Sequence, residues 1–148
     1  MILDEERLVR WGRRIGREVE PPAFLALSGP LGAGKSVLAR AVARGAGVEG
    51  AVPSPTFNLL FRYSASGGRE VVHLDLYRVD DPSELRELGW DELGAPGEIV
   101  LVEWAERAGR RLPPDRWDVT LALVPGRPDA REVSVERVGN PCELPRPE

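Results

Sequence analysis

Ala23-Phe24-Leu25-Ala26-Leu27-Ser28-Gly29-Pro30-Leu31-Gly32-Ala33-Gly34-Lys35-Ser36 opens on an unbroken apolar run and closes on a glycine-rich loop. The run has the length and composition of a buried strand. From Gly29 to Ser36 the chain fills every fixed position of the pattern G-x-x-x-x-G-K-[ST]. Beyond it, Val37, Leu38, Ala41 and Val42 recur at helical spacing and stop near Gly45 and Gly47. Strand, loop and helix in that order give the pattern its chemistry. Glycines let the backbone close around an anion, and the helix start offers unpaired N–H groups and its positive end. Lys35 and the loop residues Leu31, Gly32, Ala33 and Gly34 are thus expected to bind phosphates, with the Ser36 hydroxyl on magnesium. The fold class implied is α/β: a single-domain phosphate-loop NTPase with a central, mostly parallel sheet, flanking helices and antiparallel hairpin additions.

Of the 20 lysine and arginine residues, Lys35 is the only lysine. Guanine-reading phosphate-loop proteins use an [NT]-K-x-D segment, and no second lysine exists to build one. Adenine is preferred by elimination. As an exposed loop residue, Lys35 is expected to contribute little packing, so its removal should leave the fold intact.

The 148 residues, 42% of them hydrophobic, suffice for one core. We read residues 1–138 as the nucleotide-binding domain and 139–148 as a frayed tail. A net charge of −4 argues against a protein whose main work is coating nucleic acid. Cys142, the single cysteine, allows no internal disulfide and fits a reducing cytoplasm. No apolar run approaches the roughly 18 residues of a membrane span, and no leader is read at the start.

Asp4 is placed to cap a helix carrying Leu8, Trp11, Ile15 and Val19, stopped by Pro21-Pro22. Val52-Pro53-Ser54-Pro55-Thr56 reads as an ordered loop, since each proline holds its predecessor extended. Phe57 to Tyr63 and Glu70 to Leu76 read as a strand hairpin, and Asp81-Pro82-Ser83-Glu84 as the start of a short helix ending at Gly89. Ile99-Val100-Leu101-Val102 is a second buried strand, running into Glu103-Trp104. Trp117 to Val124 and Glu132 to Val138 alternate as a final strand pair.

A phosphate-loop enzyme also needs an acid at the end of a neighbouring buried strand to hold magnesium or its water. Glu103 and Asp75 both qualify by position. Glu103 is preferred for the metal, because its strand is uninterrupted while His73 suggests that the other is only partly buried. Asp75 is left to order the water shell or the attacking water. Thr56, on a loop stiffened by two prolines, suits a hydroxyl that senses the terminal phosphate. Arg78, Arg107, Arg110 and Arg111 are candidates for transition-state charge, a lid or a partner contact. Trp104 reads as core rather than as a surface stacking on a base or partner, and His73 as structural rather than catalytic.

Taken together, Leu31-Gly32-Ala33-Gly34-Lys35-Ser36, Ser54-Pro55-Thr56-Phe57, His73-Leu74-Asp75-Leu76-Tyr77-Arg78 and Val102-Glu103-Trp104 resemble the bacterial TsaE (YjeE) ATPases over roughly residues 4 to 138. The first motif is generic, and the other three in this order are specific. Pro30, Ser36 and Ala105 depart from the commoner residues without removing a needed group. The resemblance implies an accessory ATPase of tRNA threonylcarbamoyladenosine formation, using ATP and Mg2+ and joining TsaB and TsaD, which transfer the group to adenosine in the anticodon loop at position 37. The partners would hold most of the tRNA. It implies phosphate binding by Lys35 and its loop, magnesium at Ser36 and Glu103, a switch-like Thr56, a hydrolytic or nucleotide-placing Asp75, and nucleotide contacts from Glu5 and Arg131. Two rivals stay open: a small-molecule kinase, and a nucleotide-dependent assembly factor whose slow hydrolysis is incidental.

Overall fold

The computed structural model describes residues 1–52 and 59–148; Thr56 and the rest of Ser54-Pro55-Thr56-Phe57 lie outside them. In chain order the elements are β1 (Ile2–Asp4), α1 (Glu5–Glu18), β2 (Ala23–Ser28), α2 (Lys35–Gly45), β3 (Leu60–Ser64), β4 (Glu70–Asp75), β5 (Glu98–Glu103), β6 (Arg116–Val124) and β7 (Arg127–Val138). They form one sheet in the order β1-β7-β6-β2-β5-β4-β3. The four central strands, β6, β2, β5 and β4, run parallel, and the edges are antiparallel additions. Parallel strands need cover on both faces. This explains why β2 and β5 read as unbroken apolar runs.

Alternate residues of those strands serve two cores. Leu25, Leu27, Ile99, Leu101 and Val71 face α1 and α2, whereas Phe24, Ala26, Val100, Val102, Val72 and Leu74 face a layer that includes Leu85, Trp90, Ala105 and Ala108. Short 3-10 turns at Pro82–Leu88, Trp90–Glu92 and Ala105–Arg107 supply that second layer. Each fully buried Leu or Ile here contributes about 2 kcal/mol. The segment from Asp81, expected as a short helix, is a 3-10 helix ending at left-handed Gly89.

Helix α1 starts where Asp4 accepts the Arg7 N–H at 2.8 Å. It lies close against α2 because both helices carry glycine at the crossing. A Cβ on Gly16 would stand 2.0 Å from the Val42 carbonyl oxygen, and one on Gly45 would stand 2.0 Å from that of Arg13.

Two expectations are corrected, and one strand is added to them. Strand β4 is buried in spite of its histidine, with Val71, Val72, His73 and Leu74 all at most 1% exposed. Strand β1 was not foreseen; three residues are too few for a period, and it exists by pairing with β7 through Leu3↔Arg131. The tail 139–148 has no regular structure yet does not fray. Trp117 and Trp11 donate their indole N–H groups to the Cys142 and Pro145 carbonyls, both at 2.7 Å, and Cys142 and Leu144 pack on the core. Buried indoles seek an acceptor, and here backbone carbonyls of the tail supply it.

Candidate nucleotide site

The loop between β2 and α2 lies at the carboxyl end of the parallel strands, where open α/β sheets hold ligands. Gly34, the N-cap of α2, has φ 103°, a left-handed conformation that costs glycine nothing. No side chain among the described residues caps this helix. Its first N–H groups therefore remain available to an anion.

Lys35 is 4% exposed, so the expectation of an exposed lysine is overturned. Its Nζ donates to the Gly29 carbonyl at 2.5 Å and the Pro30 carbonyl at 2.9 Å. The Trp104 ring centroid lies 4.1 Å away, in cation–π range. Burial lowers the Lys35 pKa, while the charges of Glu103, Glu106 and Asp75 oppose the fall. Trp104 packs against the second core, as expected, and its ring also covers Lys35. It is the one non-glycine with positive φ among the described residues, at φ 57° and ψ 42°, and its ring also meets Tyr77 at 5.0 Å.

Directly below, Ser36 donates its hydroxyl to Glu103 Oε1 at 2.7 Å, across 67 residues of sequence. The other carboxylate oxygen, Oε2, meets His73 Nε2 at 2.5 Å. Glu103 is 2% exposed. Asp75 stands beside it in the β4–β5 register. Burial raises the Asp75 pKa and the Glu103 charge adds to this, against the Tyr77 N–H that Asp75 accepts at 2.9 Å.

On the other side of the loop, a cleft is lined by Glu5, Leu8, Gly32, Gly34, Val37, Pro128, Asp129 and Arg131. Arg131 donates to the Gly32 carbonyl at 3.1 Å, and its buried Nε has no partner among the described residues. Leu31 caps the loop as an exposed apolar tip.

The structure thus brings together Lys35, Ser36, Asp75 and Glu103, with Glu5 and Arg131 on the adjoining cleft. Arg107 is tied to the Val79 carbonyl at 3.3 Å and lies over the Tyr77 ring. Residues underrated in the sequence are His73 and Trp104. The signal for His73 was its position two before Asp75, which puts both on one strand face. Nothing local announced the left-handed turn at Trp104.

Among the described residues no helix is long and apolar enough to cross a membrane, and no cluster of three or more His, Cys, Asp or Glu residues forms a protein-only metal cage. Oxygen donors paired as Ser36 and Glu103 are fit magnesium, which takes one or two protein oxygens and completes its shell with phosphates and water.

The family model described as "Threonylcarbamoyl adenosine biosynthesis protein TsaE" matches residues 2–132. The tRNA threonylcarbamoyladenosine biosynthesis protein TsaE of Bacillus subtilis is 36% identical over 125 residues, covering 84% of this chain and 76% of its own. The Haemophilus influenzae protein of that name is 36% identical over 117 residues, 76% of this chain and 73% of its own. The protein of that name from Mycobacterium tuberculosis reaches 40% over 120 residues, 76% of this chain and 71% of its own. The crystal structure of Bacillus subtilis YdiB superposes with a TM-score of 0.73 at 25% identity, covering 94% of this chain and 84% of that one. A match over nearly the whole length, on a phosphate-loop fold with its strand-end acid in place, makes this chain a member of the TsaE family of tRNA threonylcarbamoyladenosine biosynthesis.

Proposed function

We propose that this chain binds ATP with Mg2+ and hydrolyses it, acting in the cytoplasm as an accessory subunit to TsaB and TsaD, without itself transferring the threonylcarbamoyl group. The observation that carries the reading is the Ser36–Glu103 contact at 2.7 Å beneath the uncapped start of α2. Two oxygen donors and a row of free N–H groups meet where the phosphate chain of a nucleotide would enter.

In this reading the backbone of residues 31–36 wraps the phosphates. Lys35 exchanges its carbonyl acceptors for phosphate oxygens, a short movement that keeps its ammonium paired throughout. Ser36 and Glu103 hold magnesium, which neutralises phosphate charge when bound. Asp75, its pKa raised by burial and by the Glu103 charge, accepts a hydrogen bond from the attacking water and orients it. Thr56 acts as the residue that senses the terminal phosphate. Glu5 and Arg131 flank the cleft beside Gly32, where they contact the nucleotide.

Incubation of the chain with ATP and Mg2+, alone and with TsaB, TsaD and tRNA, tests this. Phosphate release that depends on Mg2+, and modification that depends on this chain, are expected. Phosphate transfer to a metabolite without the partners would establish a kinase instead. Rescue of modification by a variant that binds ATP but cannot hydrolyse it would make hydrolysis incidental.

A further inference from the structure

Glu103 is held from two sides. Its Oε1 accepts from Ser36 on α2, and its Oε2 faces His73 Nε2 from β4. A carboxylate on a flexible stem swings freely when one oxygen alone is bonded. With one partner on each oxygen, the plane of the group is fixed. His73 reaches it because β4 and β5 run parallel with His73 opposite Leu101, so that Glu103 stands one strand period further along on the same face. The histidine is 1% exposed, and its Nδ1 is buried with no hydrogen-bond partner among the described residues. An ionised carboxylate only accepts, so Nε2 is the donor of this contact. Among the described residues the ring makes no other hydrogen bond, and it has no task in nucleotide binding as proposed.

We propose that His73 is a positioning residue for the metal: it anchors Glu103 Oε2 so that Oε1 stays turned towards Ser36, where the two oxygens present themselves to Mg2+. The inference rests on the magnesium-nucleotide reading of the site. It adds the residue that keeps the carboxylate in place during metal binding, when Ser36 must turn its hydroxyl proton away from Glu103 to offer a lone pair. At that moment His73 is the remaining grip on the carboxylate.

The test measures Mn2+ binding, as a paramagnetic stand-in, by electron paramagnetic resonance on the full chain with ADP present. His73→Leu should weaken Mn2+ affinity about 10- to 100-fold, the usual effect of removing a partner that orients a metal ligand. ADP binding in EDTA should stay at the wild-type level. His73→Gln, whose amide N–H reaches close to the place of Nε2, should recover most of the metal affinity. Mn2+ binding by His73→Leu equal to wild type would overturn the proposal, as would equal losses in the Leu and Gln variants. If His73→Leu does not fold, the pair His73→Gln and His73→Asn decides. The shorter Asn amide cannot reach Glu103, so equal Mn2+ affinities in that pair would overturn the proposal. Absence of Mn2+ binding by the wild-type chain with ADP would overturn the magnesium reading itself and this role with it. Intact wild-type binding with indifferent His73 variants would remove the role of His73 alone.

Discussion

Strands β4 and β5 lie side by side and end on acids in register, Asp75 and Glu103, yet the two carboxylates live in different surroundings. Glu103 has a donor on each oxygen and is buried to 2% exposure. Asp75 is only half-buried, accepts the Tyr77 N–H, and has its pKa raised by burial and by its neighbour's charge. A carboxylate held at both ends is suited to a fixed role beside a metal. One held by a single backbone N–H, with a proton affinity above the ordinary, is suited to meeting a water molecule. Position at a strand end alone does not separate these roles; the partners do.

The largest break in that contrast is Glu103→Ala. It strips Ser36 and His73 of their acceptor inside the fold, and a buried donor left unpaired costs about 1–3 kcal/mol. We expect about 3 kcal/mol of lost stability by urea denaturation. Magnesium should then no longer tighten nucleotide binding in a calorimetric titration, while Asp75 remains in place. A variant that keeps magnesium dependence would move the metal to Asp75.

Lys35→Ala comes next. Loss of a charge-assisted contact to phosphate should weaken triphosphate binding by about 2 kcal/mol. Because Lys35 also ties Gly29 and Pro30, the loop loses two hydrogen bonds, partly offset by release of a buried ammonium. Stability should fall by about 1 kcal/mol, measurable as a shift in urea midpoint at constant slope. Unchanged triphosphate affinity would remove Lys35 from the phosphate site.

How far these assignments were open to the sequence depends on the range of the interaction behind each. Strand β2, the loop and α2 were legible because their signals are local: an apolar run, fixed glycines, helical spacing. Glu103 followed from the uninterrupted apolar run before it. Its preference over Asp75 rested in part on the idea that His73 marked a half-exposed strand. That premise fails, since His73 is buried by pairing with Glu103, a contact across 30 residues that no local pattern encodes. The burial of Lys35 was missed for the same reason: its cover comes from Trp104, delivered by a left-handed turn at the end of β5. Strand β1 and the docked tail likewise depend on distant partners, Arg131 for one and the indoles of Trp11 and Trp117 for the other.

The smallest stability effect belongs to Asp75→Asn, and it sharpens the contrast most. The folded state holds the Asp75 proton more tightly than the unfolded chain does, because burial and Glu103 disfavour the charge. Wild-type stability is therefore lost as pH rises from the ordinary carboxylate value through the raised one. Asparagine keeps an oxygen for the Tyr77 N–H and has no proton to lose. The variant should match or slightly exceed wild type at neutral pH, by less than about 1 kcal/mol for a group this exposed to solvent. Its advantage should vanish as pH falls below the ordinary carboxylate range, a trend that urea titrations across that range would follow. Hydrolysis should slow more than ATP binding weakens, the reverse of the Glu103 pattern, because the water loses its acceptor while the phosphates keep their loop. A variant less stable than wild type throughout would show Asp75 to be as firmly held as Glu103, and the division of labour between the two strand ends would fall.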